Sequence, residues 1–106
     1  MSGLPFDKLA VVERKGGEVL GEAAVAIWPA GDRENARGQA YDWTGEADPA
    51  SAPLLVRRSN RQLRVEVPLP GEDPSTTREA LFTVVSAVFN EFVPHVELRL
   101  LEQRGG

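Results

Sequence analysis

Between Asp73 and Phe92 the chain reads DPSTTREALFTVVSAVFNEF, and no other stretch restricts the fold as strongly. Set on a wheel at about 100° per residue, Leu81, Phe82, Val84, Val85, Val88, Phe89 and Phe92 share one arc, with Glu79, Thr83, Ser86 and Asn90 opposite. Asp73 followed by Pro74 suits an N-cap and a first helical position, while Thr76 with Glu79 offers a competing capping box. Pro94 then stops the run, because the residue before a proline is pushed out of the helical region. The periodicity predicts a long amphipathic helix, and a face this bulky needs a sheet to cover it.

Alternation elsewhere supplies that sheet. In Gln62 to Leu69, residues Leu63, Val65, Val67 and Leu69 alternate with polar neighbours, as in a half-buried antiparallel strand. Leu54 to Arg58 reads as its hairpin partner across the turn Ser59-Asn60-Arg61, and Pro68 suits a sheet edge. After Pro94, Val96, Leu98 and Leu100 alternate again in a closing strand from His95 to Glu102. Near the start, Lys8 to Arg14 is compatible with a strand leading into the Lys15-Gly16-Gly17 turn. Residues 18–28 fit either a strand or a helix, with Gly21 tipping the choice toward a strand that Pro29 ends. Residues 30–38 and 45–53 read as loops around a short strand from Gln39 to Thr44 that sets Tyr41 and Trp43 on one face.

The expected class is therefore α+β: an antiparallel sheet of about five or six strands, one long C-terminal amphipathic helix on one face, and a final strand after it. A chain of 106 residues is expected to form one domain, with residues 1–6 and 103–106 loosely ordered. Cysteine is absent, which excludes disulfides and thiolate chemistry. The N-terminal stretch carries no signal-peptide pattern and no apolar run approaches a bilayer span, so the expectation is a soluble cytoplasmic protein.

Net charge is −4, which opposes generic binding to polyanions. Against that background Arg57, Arg58, Arg61 and Arg64 form a local basic cluster able to contact phosphates, with Tyr41 or Trp43 on a neighbouring strand for stacking. The plainer alternative is a solvated hairpin whose arginines pair with nearby carboxylates. His95 and Glu97 form a His-x-Glu pair beside Arg99, a constellation open to acid–base or ligand-binding work but lacking any metal motif. No metal site or cofactor is expected. Tyr41 and Trp43 are the amphipathic aromatics common on recognition surfaces, and equally the residues that complete a small core. The favoured functional expectation is a non-enzymatic protein-interaction or regulatory module, possible as a homo-oligomer. The alternatives are a nucleic-acid-binding module on the Arg57–Arg64 hairpin and a small-ligand or enzyme site around His95 and Glu97.

Overall fold

Gly16 and Gly17, at φ of 110° and 104°, reverse the chain between β1 (Lys8–Arg14) and β2 (Val19–Glu34), as the paired glycines predict. From there the computed structural model, which describes residues 6–69, 71–73 and 75–104, departs from the expected architecture. Four further strands follow: β3 (Ala40–Ala47), β4 (Arg61–Pro68), β5 (Thr77–Asn90) and β6 (His95–Glu102). They close into an antiparallel barrel in the order β1-β2-β3-β6-β5-β4, with β4 returning to β1 through pairs such as Val12↔Leu63. The expectations placed on the first five residues, Pro70, Pro74 and the last two residues lie outside the described part.

The long helix is not there. Residues 77–90 form β5, paired with β4 from Gln62↔Thr83 to Pro68↔Thr77 and with β6 from Phe82↔Glu102 to Asn90↔His95. A register shift between Val84 and Ser86 explains the misleading period. Ahead of it Ala80 and Phe82 are buried; beyond it Ala87, opposite Leu98, packs against the core. One inserted residue flips the alternation, so two period-2 runs in opposite phase look like one period-3.6 run. The content of β-branched and aromatic residues, Thr77, Phe82, Thr83, Val84, Val85, Val88 and Phe89, favours the strand. Asp73 caps no helix either. Its Oδ1 accepts hydrogen bonds from the Ser75 backbone N–H and hydroxyl, and its carbonyl accepts from Thr76 N–H at 2.8 Å, shaping the β4–β5 connection.

Two other expectations are corrected by the same accounting of backbone pairing. Leu54 and Leu55 belong to no strand: a 3-10 turn (Pro49–Ser51) runs into the short helix α1 (Ala52–Leu55), which delivers Leu55 to the core at 1% exposure. Pro29 does not end β2. The strand continues to Glu34 through a bulge between Pro29, which still pairs with Trp43, and Arg33, with Gly31 at φ 75° inside it.

The barrel interior is filled rather than hollow. Phe82, Leu63, Leu98, Leu100, Val12 and Val25 lead a core whose members are almost wholly excluded from solvent. A sheet with one open face, expected beside the helix, is thereby replaced by a sheet closed on itself, with its other face toward solvent. Closure also removes the edges at which Pro68 was expected; that residue sits at the end of β4, opposite Thr77. Among the described residues no helix is long and apolar enough to cross a membrane.

Two arginines tie strands together across the barrel wall through three carboxylates. Arg64 on β4 donates to buried Glu13 on β1 at 2.8 Å, Gln62 donates to the same carboxylate at 2.8 Å, and Arg64 also reaches Glu79 on β5 at 3.1 Å. Arg78 on β5 makes a two-point contact with Glu102 on β6. The hydrogen bond from Arg64, then that from Gln62, holds the Glu13 carboxyl below its usual pKa; the hydrogen bond from Arg78 does the same for Glu102. A pKa lowered by folding contributes stability that is complete above the unfolded value, about 4.3 for glutamate, and is lost as pH falls through the folded value. The melting temperature should therefore stay level from neutrality to about pH 5 and fall below it, and Glu13→Gln should lower the neutral-pH value while flattening the acid slope. An unchanged acid slope in Glu13→Gln, read by thermal melts across pH, would remove Glu13 from this role.

Candidate functional site

The arginine cluster divides once its partners are seen. Arg61 Nε donates to the Leu54 carbonyl at 2.8 Å, one of those that α1 leaves free at its end, and its Nη1 donates to the Ser59 carbonyl at 3.1 Å. Arg64 is occupied by Glu13 and Glu79. Arg57 and Arg58 remain, just after α1. The helix ends at Val56, which is extended; Arg57 sits at φ 61° in the turn that follows, and Arg58 Nε donates to the Pro53 carbonyl at 3.1 Å. Neither guanidinium has a carboxylate within ion-pair distance among the described residues.

Both arginines line a groove of about 650 Å³. Its opposite wall is residues 84–89 of β5, and its end is the β2–β3 turn with Arg37. That turn is held by Asn35, whose side-chain oxygen accepts from Arg37 N–H at 2.9 Å and Gln39 N–H at 3.0 Å, and by Gly38 at φ 77°. Arg37 likewise has no carboxylate partner among the described residues. Three arginines thus border a groove of mixed polar and apolar lining, and Glu91 lines it as well.

Beyond the groove lies the β5–β6 turn. Asn90 Oδ1 accepts from the backbone N–H groups of Phe92 at 2.9 Å and Val93 at 3.2 Å, while Asn90 Nδ2 donates to Glu97 at 3.0 Å. The turn is held firmly, yet it presents apolar side chains to water: Phe92 is 92% exposed, Val93 56%, Val88 55% and Phe89 40%. Phe89 and Phe92, expected on a buried helix face, are the most solvent-exposed aromatics of the barrel beside Trp28.

His95, the first residue of β6, is buried at 5% exposure rather than solvent-facing. Its Nδ1 lies against the Val93 carbonyl, and its Nε2 stands 3.3 Å from Glu46 and 3.5 Å from Glu97, which face each other across the β3–β6 ladder. The expected His95–Glu97 neighbourhood exists, but neither residue lines the groove beside Arg57 and Arg58. No cluster of three or more His, Asp or Glu side chains among the described residues is placed to hold a metal ion. The constellation anchors the turn.

Tyr41 and Trp43 part company. Trp43 turns to the core and meets Phe82 edge-on, ring centroids 5.2 Å apart at 64°. Tyr41 lies under the Arg99 guanidinium, 5.6 Å from its ring centre, and both border a smaller cleft with Trp28, Arg33 and Thr44. Sequence reasoning had no hold on Arg37 or the exposed turn; the signal available was Asn90, a turn former between two apolar runs, hidden by the helical period. No protein-family model, no curated protein and no solved structure matches this chain.

Proposed function

We propose that the chain is a non-enzymatic protein-interaction module that docks a second copy of itself through the groove and the β5–β6 turn. The observation that carries this reading is the joint exposure of Val88, Phe89, Phe92 and Val93 beside three arginines that lack carboxylate partners among the described residues. Clustered apolar exposure of this kind marks association surfaces, whereas scattered exposed residues do not. The turn itself carries the chemistry the groove accepts: the carboxylate of Glu91 next to the free side chains of Phe92 and Val93. A two-fold dimer satisfies both surfaces at once, each turn entering the other copy's groove with Glu91 toward Arg57 and Arg58. Charge complementarity selects the second copy over an arbitrary apolar partner.

Sedimentation velocity tests the reading. The protein should sediment as a dimer at concentrations on the order of 10–100 µM, and Phe92→Asp should return it to a monomer. Leu9→Asp, which alters an exposed apolar residue on β1 that lines neither the groove nor the turn, should leave the dimer intact. A monomer throughout that range, or a dimer indifferent to Phe92→Asp, contradicts the proposal.

A further inference from the structure

The cleft beside Tyr41 is chemically distinct from the docking groove, and the inference drawn from it does not depend on self-association. It measures about 310 Å³, at the small end of the roughly 300–1,000 Å³ typical of small-ligand sites. Its lining combines two aromatic rings, Trp28 and Tyr41, with two guanidinium groups, Arg33 and Arg99, and the Thr44 side chain. No carboxylate borders it.

Each arginine is tethered by part of its donor set. Arg99 Nη1 donates to Thr44 Oγ1 at 3.2 Å and to the Leu98 carbonyl at 3.2 Å, leaving Nε and Nη2 without a protein acceptor among the described residues. Arg33 Nε donates to the Ala30 carbonyl at 2.7 Å, leaving both terminal nitrogens without one. Neither has a carboxylate in ion-pair range among the described residues. Guanidinium groups fixed at one edge and unpaired at the other are arranged to take a tetrahedral or planar oxyanion by paired hydrogen bonds. Trp28, 44% exposed, lines the same small space. Its neighbours on the strand are held in place by the bulge at Pro29 to Arg33, which turns Arg33 and Tyr41 into register with one another.

We infer that the Trp28–Arg33–Tyr41–Arg99 cleft binds one nucleotide unit, the phosphate on Arg33 and Arg99 and the base stacked on an aromatic ring. The overall charge of −4 does not oppose this, because the acids are absent from the cleft lining and a single phosphate samples the local field. The unit comes either from a free nucleotide or from a single strand, and both present the same ring and phosphate.

The test follows the two tryptophan indole N–H resonances, Trp28 and Trp43, in heteronuclear NMR spectra. The probes are adenosine, adenosine 5′-monophosphate and a short oligoadenylate. The Trp28 signal should move with the monophosphate, with adenosine binding about tenfold or more weakly, while the core Trp43 signal stays near its place. Arg33→Gln and Arg99→Gln should each weaken monophosphate binding about tenfold, the former at an exposed position outside the core. Saturation by the free monophosphate identifies a nucleotide site. A response confined to the oligomer, weakening steeply as salt rises from about 50 to about 500 mM, identifies a strand site; both support the inference. No shift of Trp28 with either phosphorylated probe, or equal binding of adenosine and its monophosphate, overturns it.

Discussion

Phe82→Ala should destabilise the barrel by about 3–5 kcal/mol, measured as a drop in the urea midpoint at unchanged slope. The ring is wholly excluded from solvent, lies opposite Leu63 on β4, and meets Trp43 edge-on, so alanine removes apolar contact and leaves a void that closed strands cannot collapse to fill. Against a total stability of about 5–15 kcal/mol for a domain this size, that is a third or more of the whole. The strand assignment makes a second, opposed demand. Phe92→Ser, ten residues on and on the same face of the hypothetical helix, should cost less than about 0.5 kcal/mol because Phe92 is 92% exposed. Similar large losses at both positions would restore the helix and contradict β5.

Gly45→Val should be comparably damaging, by about 3 kcal/mol, for the opposite reason. A Cβ at Gly45 would stand 2.5 Å from the Ala26 carbonyl oxygen and 2.6 Å from Ile27 Cγ2. Gly45 pairs with Ile27 on β2, so that strand would have to give way, and its carbonyl cannot rotate aside as a side-chain end could. Gly45→Ala should show a smaller loss of the same sign. At Gly21, by contrast, the nearest atom is the Leu54 Cδ1 at 2.9 Å, the mobile end of a side chain, and alanine there should be milder. A Gly45→Val protein as stable as the parent would mean that β2 and β3 are not paired in this register.

These two sites also show why parts of the fold were legible in the sequence and others were not. β4 and β6 are uninterrupted, so Leu63-Val65-Val67 and Val96-Leu98-Leu100 alternate openly and were readable as strands. β5 and the far half of β2 carry bulges, and one extra residue is enough to turn a strand's period into something resembling a helix or a loop. α1 spans four residues, below the length at which periodicity says anything, and Leu54-Leu55-Val56 passes equally well for a strand. Closure rests on the β1–β4 ladder, which joins Arg14 to Arg61 and Val11 to Arg64, pairings set by the whole chain rather than by either segment.

The surface follows the same logic. Arg57, Arg58, Arg61 and Arg64 stood out as a basic run, but only the backbone positions of Leu54, Glu13 and Glu79 decide which of them are engaged. His95 is solvent-facing by alternation and buried in fact, because the Glu46↔Glu97 pairing brings β3 alongside it. Tyr41 and Trp43 share a face in an ideal strand, yet one meets Phe82 in the core and the other meets Arg99 outside, next to a strand distorted by its bulge.

Self-docking is tested most directly by exchanging charge between two copies. Glu91→Arg places like charges at both symmetric contacts of the dimer, and the double variant Arg57→Glu/Arg58→Glu does the same with the opposite sign. Each variant alone should sediment as a monomer, since apposed like charges at an interface cost several kcal/mol. Mixed in equal amounts, they restore an attractive pair at both contacts, and a heterodimer should form at on the order of 10–100 µM protein. Recovery of the dimer in the mixture alone is the result this arrangement predicts. Dimers that persist in either single variant, or a mixture that stays monomeric while the parent dimerises, would contradict it.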